Sequence, residues 1–255
     1  CQVLELDPVP FLMTQIMSSN IGGTGTLIGD PPNIMIGSAA DLSFTDFLAN
    51  TGVVAVVIMA VVILLFRFFY GRNLGASDEA IKKVMNMDEE KAIEDIGLLR
   101  KSLIIIILVL LGFMFHGLIG IESSVVALTA ATAMMIFGKI NVEHIIVDAE
   151  WGTILFFVGL FIVVGGMVET GVIKSFAKEL IAFTDGNIML TMLVLLWGSA
   201  ILSSFLDNIP FVATMIPMII AMGNDGIDTV PLWWAISLGA CLGGNGTLVG
   251  ASANV

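Results

Sequence analysis

Asp207 and Asn208 sit near the middle of a stretch, 187–221, that is strongly apolar and too long for a single crossing of a bilayer. If both flanking arms are helical, the pair lies at mid-bilayer depth. A carboxylate there costs at least about 2.5–3.5 kcal/mol, so intramembrane acids usually mark ion or proton pathways. Desolvation disfavours the charged form and a bound cation restores it, which allows one carboxylate to exchange a proton for a cation. A structural reading stands beside the functional one: an Asp at a hairpin tip can cap the helix that follows, and both roles can hold together. Thr214, about two turns further on, can aim its hydroxyl at the same tip.

Two further polar clusters interrupt apolar sequence, and they are copies of one another. Gly22-Gly-Thr-Gly-Thr-Leu-Ile-Gly-Asp-Pro-Pro-Asn-Ile34 aligns without gaps on Gly243-Gly-Asn-Gly-Thr-Leu-Val-Gly-Ala-Ser-Ala-Asn-Val255. A continuous helix through the first copy, 20–33, would have to absorb several glycines and two consecutive prolines. Each interior Gly costs about 0.5–1 kcal/mol against Ala, and Pro removes an amide donor and clashes with the preceding turn. Inside a bilayer such a break is tolerated only where protein or a water-filled cavity satisfies the freed backbone. Each cluster is therefore expected to be an unwound link between two half-helices, with carbonyls available to a hard cation and helix N-termini available to an anion. The neutral oxygens of Thr24, Thr26, Asn33, Asn245, Thr247, Ser252 and Asn254 suit a hard cation such as Na⁺. Gly23, Gly25, Gly244 and Gly246 let the backbone bend, and Asn20 and Asp30 close the first site. Glycine-mediated helix crossing would explain the glycines alone, but not the duplicated Thr and Asn. The copies differ at Asp30-Pro-Pro against Ala251-Ser-Ala, so if Asp30 ligates an ion the two half-sites are not equivalent.

Positioning these residues calls for a membrane scaffold. The 255-residue chain is 57% hydrophobic and 13% charged, with a mean hydropathy of +1.02, far from the roughly one-quarter charged residues of a soluble domain. An all-α polytopic membrane protein follows, placed in the plasma (inner) membrane if the source is prokaryotic. The expected order is a broken helix at 9–40 and a spanning helix at 51–69, ending the first repeat (1–70). A charged cytoplasmic linker follows at 71–101, which with Arg67 holds seven of the ten Lys and Arg residues. The second repeat (102–255) has spanning helices at 102–119, 123–138 and 152–168. It continues with a hairpin at 187–221 and a second broken helix at 231–255. Residues 141–151 and 174–183 read as short amphipathic pieces. The two broken helices are expected to run in opposite directions, as an inverted repeat requires. With no initiating Met and an end directly after the second link, the sequence reads as an internal piece of a longer protein.

Several other chemistries find no support. Gly23-Thr-Gly25-Thr-Leu-Ile-Gly29 spaces its last glycine one residue too far for a dinucleotide fingerprint, and no Gly-Lys-Ser/Thr follows for a P-loop. His116 and His144 lack partners at metal-ligand spacing, and two cysteines, Cys1 and Cys241, offer no transition-metal quartet. The acids at 122, 143, 148, 150 and 169 fall at helix ends, and no nucleophile–base pair is apparent. No cofactor beyond a coupling Na⁺ or H⁺ is expected, and no nucleic acid; the partners are the lipid bilayer, a small inorganic or organic ion, and by expectation a second copy in a homodimer.

The two links, with Ser203-Ser-Phe-Leu-Asp-Asn-Ile-Pro-Phe-Val-Ala-Thr-Met-Ile-Pro217, resemble the ArsB/NhaD family of the ion transporter superfamily, which also holds citrate–metal and dicarboxylate carriers. The likeness covers essentially the whole chain and is nearest the P protein branch and its prokaryotic relatives, which Glu150-Trp-Gly-Thr-Ile-Leu-Phe-Phe157 also fits. It implies two inverted repeats, each with a re-entrant hairpin and an unwound helix. Asp207-Asn208 and the second link would form one half-site. The first link would contribute to the other, whose own hairpin tip is expected before residue 1. The function implied is ion-coupled secondary transport by alternating access: Na⁺/H⁺ antiport, or carriage of an anion or carboxylate. Arsenite efflux is the alternative within the family, disfavoured because one embedded thiol makes no three-thiol site. A channel or an intramembrane enzyme is the alternative from another class.

Overall fold

The computed structural model describes residues 6–71, 75–86, 93, 95–139 and 141–254. Cys1, Arg72, Asp88, Glu89, Glu90, Lys91, Glu94 and Val255, and the side chain of Ser252, lie outside the described residues. Among the described residues every regular element is helical. Four helices among the described residues are long and apolar enough to cross a membrane: Phe44–Tyr70, Ile96–Gly117, Trp151–Glu169 and Ile188–Phe205. The chain divides into two compact units, Val9–Arg72 with Gly152–Val255, and Cys1–Pro8 with Asn73–Trp151.

The first unit carries both links. Helix α1 (Pro8–Thr24) is followed by α2 (Pro31–Ala40), α3 (Phe44–Phe47), a π-helical turn (Leu48–Gly52) and α4 (Val53–Tyr70). The unit resumes with α9 (Trp151–Glu169), α10 (Val172–Phe183), the hairpin arms α11 (Ile188–Phe205) and α12 (Asn208–Asn224), and α13 (Val230–Gly243). Its core is built where α2, α12 and α13 meet, with Ile36, Val212, Ile219, Met222, Leu232 and Ile236 fully buried. Phe47 packs edge-on against Trp234, with ring centroids 5.1 Å apart. Lipid tails are as apolar as these side chains, so close packing and interhelical hydrogen bonds hold such a core more than expulsion from water does. Helix α10 lays Ile173 and Ala177 against α12.

The second unit contains α5 (Asp78–Met85), α6 (Ile96–Ile119), α7 (Ser123–Gly138) and α8 (Val142–Asp148). Helices α6 and α7 form a hairpin whose turn starts at Gly120, held at φ +69, a left-handed setting natural to glycine. Side chains mark several starts: Ser77 accepts from the Ala80 N–H, Asp95 from Leu98 and Asn141 from Glu143.

Element limits differ from expectation in three places. Helix α1 runs through Gly22 and Gly23 to Thr24, and α2 starts at Pro31, so the first link is 25–30 rather than 20–32. Glycine weakens a helix without forbidding it, and Pro is at home in the first turn, where no intrahelical donor is needed. Ahead of α4 the apolar helix reaches back to Phe44, because Asn50 and Thr51 donate to the Asp46 and Phe47 carbonyls of their own helix. Helix α6 starts at Ile96 rather than 102, drawing Arg100 and Lys101 into the helix; the Lys101 ammonium reaches the Phe137 carbonyl at the end of α7.

Candidate functional site

The two links are closed in the same way by an Asn at the same place in each copy. In the first, the Asn33 amide Nδ2 donates to the carbonyls of Gly23, Thr24 and Thr26 at 3.0–3.3 Å. In the second, Asn254 Nδ2 donates to the carbonyls of Gly244 and Thr247 at 2.6 and 2.8 Å. Gly23 corresponds to Gly244, Thr26 to Thr247 and Asn33 to Asn254. The Asn shared by both copies thus reaches back across its link to carbonyls at and just past the end of the preceding helix, several of which also accept a main-chain N–H within the bend. The bend brings backbone against backbone: a Cβ on Gly29 would fall 2.5 Å from the Gly23 oxygen, and one on Gly250 would fall 2.8 Å from the Gly244 oxygen.

Each Asn side chain is also gripped by the helix that leads into the other link. Ser237 Oγ donates to Asn33 Oδ1 at 2.7 Å, with the Cys241 thiol at 3.5 Å; both donors belong to α13. Asn20 Nδ2, on α1, donates to Asn254 Oδ1 at 2.9 Å and to Asn245 Oδ1 at 3.0 Å. Asn20 and Cys241 occupy equivalent places in the two copies, so the links are clasped crosswise. The hairpin tip joins both. Ser203 and Ser204 donate to the Ala240 and Gly243 carbonyls, Thr247 donates to the Ser204 carbonyl, and Asn208 Nδ2 donates to the Asp30 carboxylate at 3.1 Å.

A cavity of about 280 Å³ lies between the links, lined by Ser19, Asn20, Gly29, Asp30, Pro31, Ala251 and Ala253. Asp30 is the only charged residue among them, and its electrostatic neighbours include Asp207 and the Cys241 thiol. The two acids differ in use. Asp207 caps α12, its Oδ1 accepting from the Ile209 N–H at 2.9 Å, whereas the Asp30 side chain makes no capping bond to the helix it precedes.

Of the residues singled out from sequence, Asn20, Asp30, Asn33, Asn208, Asn245, Thr247 and Asn254 converge through these bonds around the cavity. Gly23, Gly25, Gly244 and Gly246 form the bends. The Thr24 hydroxyl donates to the Asn20 carbonyl within α1, and Thr214 donates to the Phe211 carbonyl within α12, so neither is turned towards the cavity by these contacts. Thr26 lines instead a separate apolar hollow of about 440 Å³ beside α4, with Gly22, Gly25 and Gly52. The Ser252 backbone lies in a short 3₁₀ turn. Sequence reasoning passed over Ser19, Ser203, Ser204, Ser237 and Cys241. The copy register was the available signal for Cys241, since it places that residue where the first copy has Asn20.

Comparison with known sequences gives the arrangement a context. A family model described as "Citrate transporter" matches residues 1–239. An uncharacterized transporter of Mycobacterium tuberculosis is 42% identical over 260 residues, covering all of this chain and 60% of that protein. The 46 kDa membrane protein of Mycobacterium leprae is 40% identical over 259 residues, with the same coverage. The P protein of Homo sapiens is 28% identical over 335 residues, covering all of this chain and 40% of that protein. The chain thus spans about 60% of the length of the mycobacterial relatives it matches.

Proposed function

The chain belongs to the citrate transporter family, and on that premise we propose that it forms part of an ion-coupled secondary transporter that carries a coupling cation, Na⁺ or H⁺, at Asp30. The observation that carries this reading is a single carboxylate on the wall of a cavity enclosed by two clasped, unwound helices. Asp30 is left uncapped by its own helix and is oriented by Asn208. The cavity lining offers amide, hydroxyl and carboxylate oxygens and no basic side chain, a donor set that suits a hard cation and repels a free anion. Five of the link carbonyls that sequence alone offered to a cation accept from the Asn33 and Asn254 amides instead, and the cavity side of Asp30 is the place this reading gives to an ion. Alternating access then moves the loaded cavity between the two faces of the membrane, and Na⁺/H⁺ exchange is the simplest cycle that one such carboxylate supports.

A second reading is favoured by the neutral opposite wall, Ala251 and Ala253: a carboxylate anion carried together with that cation. Arsenite as cargo is disfavoured because Cys241, buried against Asn33, is the one thiol among the described residues. The test uses the complete protein in proteoliposomes, with Na⁺ and pH gradients imposed independently and citrate supplied or omitted. Coupled flux that is lost in Asp30→Asn supports the reading. Conduction without coupling would indicate a channel, and undiminished coupled flux in Asp30→Asn overturns the assignment.

A further inference from the structure

We propose that Pro32 is a positioning residue that keeps the Asp30 carboxylate in the cavity by denying it the helix end it would otherwise cap. The inference rests on the reading of Asp30 as the cation-binding group. Asp30 is the N-cap of α2, with extended backbone angles of φ −145 and ψ 134. In that setting an Asp side chain ordinarily accepts a hydrogen bond from the N–H of the second or third helical residue. Here the first two helical residues are Pro31 and Pro32, and neither has an N–H. The third N–H, of Asn33, donates to the Asp30 main-chain carbonyl at 2.9 Å. With no helix donor on offer, the carboxylate turns to Asn208 Nδ2 and to the cavity.

The molecule contains its own controls. Asp207 is the same residue at the same N-cap position of α12, but its second helical residue is Ile209, which has an N–H; the carboxylate folds back onto it at 2.9 Å. Asp95, the N-cap of α6, likewise folds back onto the Leu98 N–H at 2.9 Å. Asp207, whose second helical residue has an N–H, caps its helix; Asp30, whose second helical residue is Pro32 and whose third N–H is taken by its own main-chain carbonyl, faces the cavity. The second link carries neither feature, having Ala251 in place of the acid and Ser252-Ala253 in place of the prolines. Pro32 is buried and does not line the cavity, so an effect of its N–H on cation binding must pass through Asp30.

The experiment reads cation dependence of flux for the complete protein in proteoliposomes, with Na⁺ titrated at fixed pH and pH titrated at fixed Na⁺. Pro32→Ala restores the N–H that an N-cap Asp captures, and is expected to raise the half-saturating cation concentration about five- to tenfold at similar maximal flux. Pro31→Ala restores only the first N–H and shifts the value less. Pro32→Ser and Pro32→Val restore the same N–H with different bulk at a buried position and should reproduce the shift, which separates it from loss of packing. On an Asp30→Asn background, Pro32→Ala should add little, because the effect acts through the carboxylate. Equal shifts for the Pro31 and Pro32 variants, or a Pro32→Ala shift that persists in full on Asp30→Asn, overturn the inference alone. An Asp30→Asn protein with unaltered cation dependence overturns both the inference and the functional reading beneath it.

Discussion

The two links share a clamp and differ in a wall. Asn33 and Asn254 close their loops through equivalent carbonyls, and each is held by a donor from the helix that leads into the other link. Beyond the clamp the copies part: the first presents Asp30 and Pro31 to the cavity, the second presents Ala251 and Ala253. Duplication therefore supplied the enclosure twice and the charge once. The shared residues bend and close the backbone, and the charge that meets the cavity is among the divergent ones. A geometry that both halves need can coexist with chemistry that only one half supplies.

The shared part of the comparison breaks most severely at the bends. Gly29→Ala would drive a Cβ to 2.5 Å from the Gly23 oxygen and 2.7 Å from its Cα, and Gly250→Ala to 2.8 Å from the Gly244 oxygen. Neither neighbour is a side chain that can swing away, so each change should cost more than about 3 kcal/mol, with Gly29→Ala the worse. Thermal melting of the purified full-length protein checks the order; equal, small shifts would mean that the two backbones can separate. Next in size are Asn33→Ala and Asn254→Ala. Each removes side-chain hydrogen bonds to carbonyls in a buried bend, several of which keep a main-chain donor, at about 0.5–1.5 kcal/mol per bond lost. Asn33→Ala, with three carbonyls to release against two, should lower the melting temperature further than Asn254→Ala.

These pairs show what was legible in the sequence and what was not. The repeated Gly, Thr and Asn spacing revealed two equivalent bends because copying preserves residue type at fixed separation. The apolar runs gave the spanning helices because lipid demands uninterrupted apolar length. Helix ends were less legible: Gly22 and Gly23 weaken a helix without ending it, and Arg100 and Lys101 enter one because long cationic side chains can reach a polar partner at its end. The crosswise bonds were not legible at all, since Asn20 and Asn254 are 234 residues apart and nothing local records which amide faces which. The two acids were the sharpest case. Asp207 stood out for its depth in the apolar stretch, yet its carboxylate caps a helix while Asp30 lines the cavity. The discriminating signal lay one and two residues beyond each acid, in whether an N–H follows.

The divergent part of the comparison is sharpened by exchanging the walls. Asp30→Asn keeps the hydrogen-bonding outline and removes the charge, and should weaken apparent Na⁺ or H⁺ affinity roughly 10- to 100-fold in coupled flux, as expected for losing one charge-assisted contact. Ala251→Asp combined with Asp30→Asn returns the charge to the opposite wall. It should restore little, because the Asn208 amide that orients the carboxylate reaches Asp30. Full restoration would mean that the cavity needs only a charge, wherever it stands.

The smallest effect is expected at Cys241, the counterpart of Asn20. Its thiol is buried and lies 3.5 Å from Asn33 Oδ1, a weak contact beside the 2.7 Å bond from Ser237. Cys241→Ser substitutes a stronger donor of smaller bulk at the same place, so melting should move by less than about 1 kcal/mol equivalent and cation affinity by less than about twofold. Ser237→Ala should cost more than Cys241→Ala, since it removes the stronger donor to the same oxygen. If the order reverses, the thiol rather than the hydroxyl holds Asn33 in place. Helix α13 would then clasp the first link from the position at which α1 clasps the second, and the symmetry of the clamp would be closer than the bond lengths indicate.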